Sequence, residues 1–279
     1  MELTTESLLA WKSLIVAGWF AAFFVLERFF PAAPFPRPEG GRSLTGVPGT
    51  LLLSMGRVIR NLGLWVLNTG LAPLVVVPLS VWAAAHSLDW RPDWWSGAAG
   101  LALDLVLLDF LIYWWHRANH ELPFLWRFHE VHHLDRFLDS SSALRFHFGE
   151  VLLSAMARAG VIILLGFPVS SILVFETLVL MATIFHHSNL RLPPRTERVL
   201  ARLFITPSIH WVHHHARQRD TDSNYGTLFS FWDPLFASRS PTARDPVMPI
   251  GVEREDERPY ASLLLRPFRL GTRKGARGR

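Results

Sequence analysis

Cysteine is absent from the 279 residues of this chain, and its absence narrows the chemistry that the side chains can perform. Without thiols there is no disulfide, no thiolate zinc site, no cysteine-ligated iron–sulfur cluster and no cysteine nucleophile. Every plausible metal ligand of the chain therefore carries nitrogen or oxygen.

Several cofactor and ligand motifs are missing as well. The sequence has no haem motif and no glycine fingerprint for a flavin or a nicotinamide, so electrons for a redox reaction would come from a separate donor. The formal net charge of +5 is not accompanied by a recognition motif for nucleic acid, and we expect no nucleic-acid partner. No cleavage-site pattern follows a short apolar core near Met1, so we predict no signal peptide.

Apolar side chains, in contrast, make up 50% of the sequence, and they occur in long runs that are typical of membrane spans. We predict a first span within 13–30, a second over 62–85 that is bent by prolines, a third over 97–115, and a helical hairpin over 151–185. Each half of the hairpin has roughly 17 residues, or about 25 Å of helix, which barely crosses a hydrocarbon layer of ~30 Å. The predicted fold is all-α, an integral membrane bundle of about four to five membrane helices that ends in this hairpin.

The distribution of charge predicts the orientation of the bundle. Arg37 and Arg42 follow the first span, whereas the tryptophan-rich loop over 86–95 falls on the opposite side. The positive-inside rule then puts the region after the third span on the cytoplasmic face. Residues 191–203 are expected to form a basic amphipathic segment at that surface, and 273–279 a disordered basic end.

Histidine is concentrated in one part of the chain. All 13 histidines except His86 lie between His116 and His215, and three clusters repeat spacings of three and four residues. The clusters are His116 with His120, then His129 with His132 and His133, then His210 with His213 and His214. Since residues three and four apart share a helix face, each cluster can aim two or three imidazoles at one point. The repeated spacing favours a metal centre over separate hydrogen-bonded histidines, and the number of ligands favours two metals.

Two carboxylates add expectations of their own. Asp109 lies about two helical turns before His116, and we expect it to accept a hydrogen bond from the ring N–H of a ligand histidine. The alternative is an aspartate that is paired elsewhere and has no role at the metal. Glu130 lies in a HEVHH stretch that also matches the H-E-x-x-H pattern of zinc hydrolases, so a membrane zinc hydrolase is an alternative function. A transporter or metal-storage protein with a histidine-lined mouth is another.

Around these residues the sequence resembles the sterol desaturase and fatty acid hydroxylase superfamily of membrane di-iron oxygenases. The resemblance runs from about Asp109 to Phe236 and follows a series of short motifs. They are DFLIYWWHRANH at 109–120, LWRFHEVHH at 125–133, RFH at 145–147 with Glu150, HSN at 187–189 with LP at 192–193, HWVHH at 210–214, NYG at 224–226 and WD at 232–233.

The resemblance implies a multi-pass protein of a bacterial inner membrane or of the endoplasmic reticulum. It would use O₂ at two non-haem irons to hydroxylate or desaturate a lipid, such as a sterol, a fatty acyl chain or an alkyl lipid. Zinc can occupy such a site in a purified protein. A carotenoid-type hydroxylase is an alternative within the same class. The electron donor would be a separate protein of the cytochrome or ferredoxin type, and no oligomeric state follows.

The resemblance also implies roles for individual residues. It carries over nine metal ligands, which are His116, His120, His129, His132, His133, His187, His210, His213 and His214. His147 is a further candidate, either as a ligand or as a residue that supports one, whereas His186 and His215 are extra. Asp109 and Asn189 are expected at the catalytic site. We divide the chain into N-terminal membrane helices with a connector (1–100), a catalytic domain (101–240) and a C-terminal basic tail (241–279).

Overall fold

A computed structural model describes residues 5–35 and 47–269 of the chain. The regular structure of these residues is helical, and β-structure within them is limited to the isolated bridges Pro31 to Leu190, Phe204 to Phe229 and His215 to Ile250. The predicted all-α fold class is therefore confirmed. Arg37, Arg42 and the basic end at 273–279, on which part of the predicted orientation and tail depends, lie outside the described residues.

The helices follow one another in chain order. They are α1 (Thr5–Phe29), α2 (Val47–Leu71), α3 (Val77–Ala85), α4 (Gly97–Glu121), α5 (Pro123–His133), α6 (Phe148–Leu165), α7 (Val169–His187), α8 (Pro194–Leu200), α9 (Pro207–His213), α10 (Gln218–Thr221), α11 (Trp232–Leu235) and α12 (Tyr260–Leu265). A π-helical turn (Ala72–Val76) joins α2 to α3, and 3₁₀ turns occupy Ser140–Leu144 and Arg266–Phe268.

Four helical stretches within the described ranges are long and apolar enough to cross a membrane. They are Met55–Ala85, Gly97–Glu121, Phe148–Leu165 and Val169–His187. These stretches match the predicted second and third spans and the two halves of the predicted hairpin, and they make the chain a multi-pass membrane protein.

The predicted first span lies within a helix, α1. The side chains of residues 5–10 lie outside the described part of the chain, so whether α1 crosses the membrane stays a prediction. Trp19 on α1 donates a hydrogen bond to the carbonyl of Met181 on α7 at 2.9 Å, so α1 packs along the last membrane helix.

Prolines and one glycine shape the membrane helices. Pro73 lies in the π-helical turn and Pro78 in the first turn of α3. Because proline has no backbone N–H to donate, it interrupts the regular hydrogen-bond pattern of the helix at these positions. Gly166 ends α6 with a φ of +63°, a left-handed conformation that glycine adopts without steric cost, and α7 begins after Pro168. The tight turn returns the chain to the side from which α6 started, as the hairpin prediction requires.

A second break puts histidines of α4 and α5 opposite each other. Leu122 is extended, with φ −92° and ψ 117°, because the following Pro123 disfavours the helical conformation at this position. The chain turns there, and the ring centroids of His120 and His133 come to lie 4.8 Å apart.

Buried ion pairs support this end of the bundle. Arg57 on α2 pairs with Asp135 at 2.9 Å and also with Asp139, and all three side chains are buried. Arg145 donates a hydrogen bond to the carbonyl of Val131 at 2.8 Å. The loop between α5 and α6 is thereby fixed to α2 and to the helix that carries HEVHH.

Candidate metal centre

Nine histidines converge at one end of the bundle in two adjacent groups. The first histidine group consists of His116, His120, His129, His133 and His213, and the second histidine group consists of His132, His187, His210 and His214. Within each group the candidate ligand atoms all lie within 4.8 Å of one another, and every member except the half-buried His116 is buried. The structure thus brings together all nine of the principal ligand candidates.

Histidines that are close in sequence are divided between the two groups. In HEVHH, His129 and His133 belong to the first group and His132 to the second, while His213 and His214 likewise separate. Each sequence cluster nevertheless aims two imidazoles at one point, as expected: His116 with His120, His129 with His133, and His210 with His214. Adjacent helical residues point about 100° apart, so a doublet supplies one ring to each side. The rings of His133 and His214 stack with centroids 4.2 Å apart, which makes the two groups neighbours.

Backbone carbonyls fix two rings of the first group. The Nδ1 atom of His116 lies 2.8 Å from the carbonyl oxygen of Tyr225, and that of His213 lies 2.6 Å from the carbonyl oxygen of Ser223. A carbonyl can only accept, so Nδ1 carries the proton in both rings and Nε2 presents a lone pair. Among the described residues, the buried Nε2 of His213 has no hydrogen-bond partner.

Glu150 fixes a third ring of this group. Its Oε1 atom lies 2.7 Å from Nδ1 of His129, while the buried Nε2 of His129 meets no hydrogen-bond partner in the described part of the chain. A carboxylate that holds the outer nitrogen of an imidazole orients the ring and raises its basicity toward a metal. In the sequence Glu150 is recognisable only as part of a motif, through its position three residues after His147.

The second group contains ring nitrogens whose contacts only a cation would satisfy. Nδ1 of His132 lies 3.1 Å from the carbonyl oxygen of Arg145, and Nδ1 of His187 lies 2.8 Å from that of Thr183. Both Nδ1 atoms therefore carry protons, and both Nε2 atoms present lone pairs. These two Nε2 atoms are 3.0 Å apart. Two lone pairs at that distance repel each other unless a positive charge lies between them.

The same arrangement extends through the remaining members of the second group. Nε2 of His210 lies 3.0 Å from Nε2 of His187 and 3.1 Å from Nε2 of His214. Four Nε2 atoms therefore converge on one small volume. The residues fit a metal ion at this position.

Burial keeps these rings neutral. It lowers the pKa of several histidines well below the usual value of about 6.5, and the neighbouring imidazoles lower the pKa further. The affected residues outside the membrane helices are His132, His133, His210, His213 and His214. Within the described residues neither group includes a carboxylate. Neutral imidazole sets suit iron, zinc, copper or nickel rather than magnesium or calcium.

The NYG loop has a structural role that its sequence motif does not predict. Asp233 accepts hydrogen bonds from the backbone N–H of Tyr225 at 2.7 Å and of Gly226 at 3.0 Å. A side chain at Gly226 would bring Cβ within 2.9 Å of the Asp233 carboxylate and of the carbonyl oxygen of Phe229, so only glycine fits. Asn224 adopts a left-handed φ of 52°. The loop is thereby shaped to present the carbonyls that hold two rings of the first group.

Asp109 does not accept a hydrogen bond from a histidine. Its carboxylate accepts from the backbone N–H of Leu228 and of Phe229, each at 3.1 Å, and from the indole N–H of Trp232 at 2.8 Å. The expected hydrogen bond from a ligand histidine to Asp109 is therefore not formed. The structure shows the alternative, an aspartate that is paired elsewhere. Asp109 ties α4 to the segment that follows the NYG loop.

Asn189, the other residue expected at the catalytic site, pairs with the backbone of a distant segment. Its Oδ1 accepts from the N–H of Ala33 and its Nδ2 donates to the carbonyl of Ala33, both at 2.8 Å. This pair of hydrogen bonds joins the end of α7 to the chain after α1. The hydrogen bonds of Asn189 are made with the chain and not with the histidines.

His147 lies outside both groups. Its Nδ1 accepts the N–H of Gly149 at 2.9 Å, which caps α6, and its Nε2 donates to the carbonyl of Leu264 at 3.0 Å. Both ring nitrogens are thus used by the chain itself.

The two extra histidines also lie outside the groups. The ring of His186 packs on that of His210 with centroids 4.0 Å apart, and Nδ1 of His215 lies 2.7 Å from Asp220. His186 nevertheless faces the cavity that adjoins the metal candidates.

A cavity of about 250 Å³ adjoins both histidine groups. It extends between α4, α6 and α7, whose apolar contributions include Ile112, Val151 and Val179. From the histidine groups it is lined by His116, His129, His132, His187 and His210. An apolar molecule in this cavity would reach the candidate metal positions without leaving the membrane helices.

One family model and several known proteins are similar to this chain. The family model described as fatty acid hydroxylase matches residues 101–238. Ornithine lipid hydroxylase OlsE of Rhizobium tropici is 27% identical over 267 residues, which is 96% of this chain and 77% of that protein. A cholesterol 25-hydroxylase-like protein of Danio rerio is 31% identical over 172 residues, which is 58% of this chain and 66% of that protein.

Alkylglycerol monooxygenase of Danio rerio is 30% identical over 163 residues, or 58% of this chain. The chain spans 34% of the length of that protein. No solved structure gives a significant match.

Proposed function

Because the chain belongs to the fatty acid hydroxylase family, we propose that it is a membrane-bound oxygenase that hydroxylates or desaturates a lipid at two irons. The observation that carries the proposal is the pair of neighbouring histidine groups with inward-facing, neutral ring nitrogens beside one cavity. Each group would hold one iron. When bound, the irons would supply activation of O₂ and the oxidation of an unactivated C–H bond.

The side chains of this protein would orient the metal site and the substrate. The carbonyls of Tyr225 and Ser223 and the carboxylate of Glu150 hold outer ring nitrogens of the first group, so that the inner nitrogens face the metal position. Ile112 and Val179 contribute apolar wall to the cavity, which suits a hydrocarbon chain and limits water near the site. No protein acid or base is required to touch the reacting carbon.

The contacts of Glu130 disfavour the zinc hydrolase alternative. Such an enzyme would use the Glu130 carboxylate as a general base beside the metal. Here one oxygen of Glu130 accepts from Nε of Arg266 at 2.9 Å and the other accepts from Nη2 at 3.1 Å. Both oxygens are thus held by a guanidinium, and Glu130 belongs to neither histidine group.

The relatives support a lipid as the substrate class. Their names refer to ornithine lipid, to alkylglycerol and, for the cholesterol 25-hydroxylase-like protein, to cholesterol. We extend to this chain only what these share, which is oxidation of a lipid. We place the metal site on the cytoplasmic face of a bacterial inner membrane or of the endoplasmic reticulum, with electrons from a separate cytochrome or ferredoxin. For 101–240 we retain the assignment as the catalytic unit.

Lipid analysis under labelled oxygen tests this function. Cells expressing the chain or its His132→Ala variant are grown under ¹⁸O₂, and their lipids are compared by mass spectrometry. We expect a lipid that gains one ¹⁸O atom or loses two hydrogens only with the unchanged chain. His86→Ala is the matched control, because His86 is exposed and lies outside both groups. Identical lipid profiles, or product oxygen derived from water, would overturn the proposal.

A further inference from the structure

Three charged side chains meet among the apolar helices, away from the histidines. Arg158 of α6 pairs with Glu176 of α7 at 2.8 Å, and Lys12 of α1 pairs with the second carboxylate oxygen of Glu176. In the described part of the chain neither cation forms an ion pair with another carboxylate. Two positive charges therefore share one negative charge, and the cluster carries a net positive charge.

Arg158 lies at the far end of the cavity that begins at the histidines. On α6, Glu150, Ser154 and Arg158 follow at intervals of four residues, and all three line the cavity. Glu150 holds His129 at one end of this row. Arg158 is eight residues farther along, or about 12 Å at the rise of an α-helix. The cavity thus has imidazoles at one end and a guanidinium at the other.

A purely structural role leaves part of this arrangement unexplained. An ion pair that only joins α6 to α7 needs one cation for one carboxylate, whereas this cluster has two. The Nε atom of Arg158 is also buried without a hydrogen-bond partner in the described residues. Charges within membrane helices are costly, and they are retained where they serve a substrate or ion. A guanidinium with an unused donor and surplus positive charge suits an oxyanion.

We propose that Arg158 binds the oxyanion, a carboxylate or a phosphate, of an acyl or alkyl lipid that occupies the cavity. The distance from Arg158 to the histidines would then select which carbon of the chain is oxidised. The inference rests on the proposed function only in taking the histidine end as the reacting end. Arg158 is a residue of substrate specificity, and it takes no part in the oxidation itself.

Equilibrium binding of three lipids with the same hydrocarbon chain tests the proposal. Hexadecanoic acid, hexadecyl phosphate and hexadecanol are titrated into the full-length chain in detergent without reductant, so no turnover is needed. We expect at least one of the two anions to bind roughly tenfold or more tighter than the alcohol, and Arg158→Gln to remove that difference. The tighter of the two anions identifies the oxyanion. An alcohol that binds as tightly as both anions, or an Arg158→Gln variant that keeps the preference, would refute the assignment.

Further variants separate binding from damage to the fold. Arg91→Gln is the matched control, because Arg91 pairs with Asp104 but does not line the cavity, and it should keep the preference for the anion. Arg158→Lys should retain the preference in part.

A last variant addresses the case in which Arg158→Gln does not fold. Glu176→Gln removes the carboxylate that competes for Arg158, so it should tighten anion binding, and unchanged or weaker binding contradicts the proposal. Because binding is measured without O₂ chemistry, its outcome is independent of the labelled-oxygen experiment.

Discussion

The two histidine groups differ in how many of their outer ring nitrogens, the Nδ1 atoms, have a hydrogen-bond acceptor in the protein. In the first group, three outer nitrogens have acceptors, which are the Tyr225 carbonyl, the Ser223 carbonyl and the Glu150 carboxylate. In the second group His132 and His187 have such acceptors, while Nδ1 of His210 and of His214, like Nδ1 of His133 in the first group, has no hydrogen-bond partner within the described residues. Outer contacts fix the orientation and basicity of a ligand ring. The first group is therefore the more preorganised, and it should bind its metal more tightly.

Removing one ligand from each group should have the largest effect and should show that the groups are separate sites. We expect His129→Ala to weaken metal binding in the first group and His187→Ala to weaken it in the second, so that during purification each variant loses metal from the changed group and retains it in the other. Both should lose lipid oxidation by more than about 100-fold, since loss of an outer partner alone costs about 10–100-fold. Metal analysis of the purified variants provides the measurement. Loss of both metals from either variant would mean that the groups are not independent sites, and two retained metals would mean that the changed histidine is not a required ligand.

Glu150→Gln should reduce the difference in metal affinity between the first and the second histidine group. Glu150→Gln removes the negative charge that supports His129, so metal affinity at the first group should fall by about 10–100-fold. Competition with a graded series of chelators measures both sites in one experiment. In the unchanged chain the second group should lose its metal first, and in the variant the two should lose metal together or in the reverse order.

Glu121→Gln is the control for Glu150. Glu121 is an exposed carboxylate at the end of α4 that pairs with Arg117 and belongs to neither group. Chelation of this variant should follow the unchanged chain. A Glu150→Gln variant that does the same would remove the basis for ranking the two groups.

Glu130→Gln should leave metal binding by both histidine groups nearly unchanged. Glu130 lies between His129 and His132 in sequence, yet its buried carboxylate is held by Arg266. Glu130→Gln should lower the free energy of unfolding by about 2 kcal/mol, because a buried guanidinium loses one of its two carboxylate partners while the amide preserves some hydrogen bonding. Metal content and activity per folded molecule should remain within a few-fold of the unchanged chain. Denaturant unfolding and lipid assays measure the two quantities.

This variant also separates the oxygenase from the hydrolase alternative, which requires loss of activity with retained folding. Glu255→Gln is the matched control, since Glu255 also contacts Arg266, at 3.0 Å, but is more exposed than Glu130. It should cost less stability than Glu130→Gln.

Much of this site could be predicted from the sequence because the ligands follow helical periodicity. Spacings of three and four residues identified the three clusters before any contact was known, and the apolar runs marked the second and third spans and the hairpin. The division of HEVHH between two groups could not be predicted, because it depends on where α7 and α9 dock against α5. That docking is a matter of tertiary packing between residues distant in sequence.

The partners of Asp109 and Glu150 show the same limit. Asp109 lies on the same helix as His116, and local geometry suggested a contact, but the N–H groups of Leu228 and Phe229 take the carboxylate instead. Glu150 reaches His129 across the loop between α5 and α6. Periodicity within one helix predicts which side chains share a face. It does not predict which distant donor or acceptor faces them.

His147 offers the smallest expected effect, and it tests where the metal centre ends. The ring caps α6 through Gly149 and donates to the carbonyl of Leu264, so both nitrogens are already engaged. His147→Asn keeps a side chain that can cap a helix, and it should cost about 1 kcal/mol or less, whereas His147→Ala should cost slightly more. Both variants should retain two metals and the chelation order of the unchanged chain. Loss of a metal from either would extend the ligand set to His147, and the site would then have to rearrange on binding its ions.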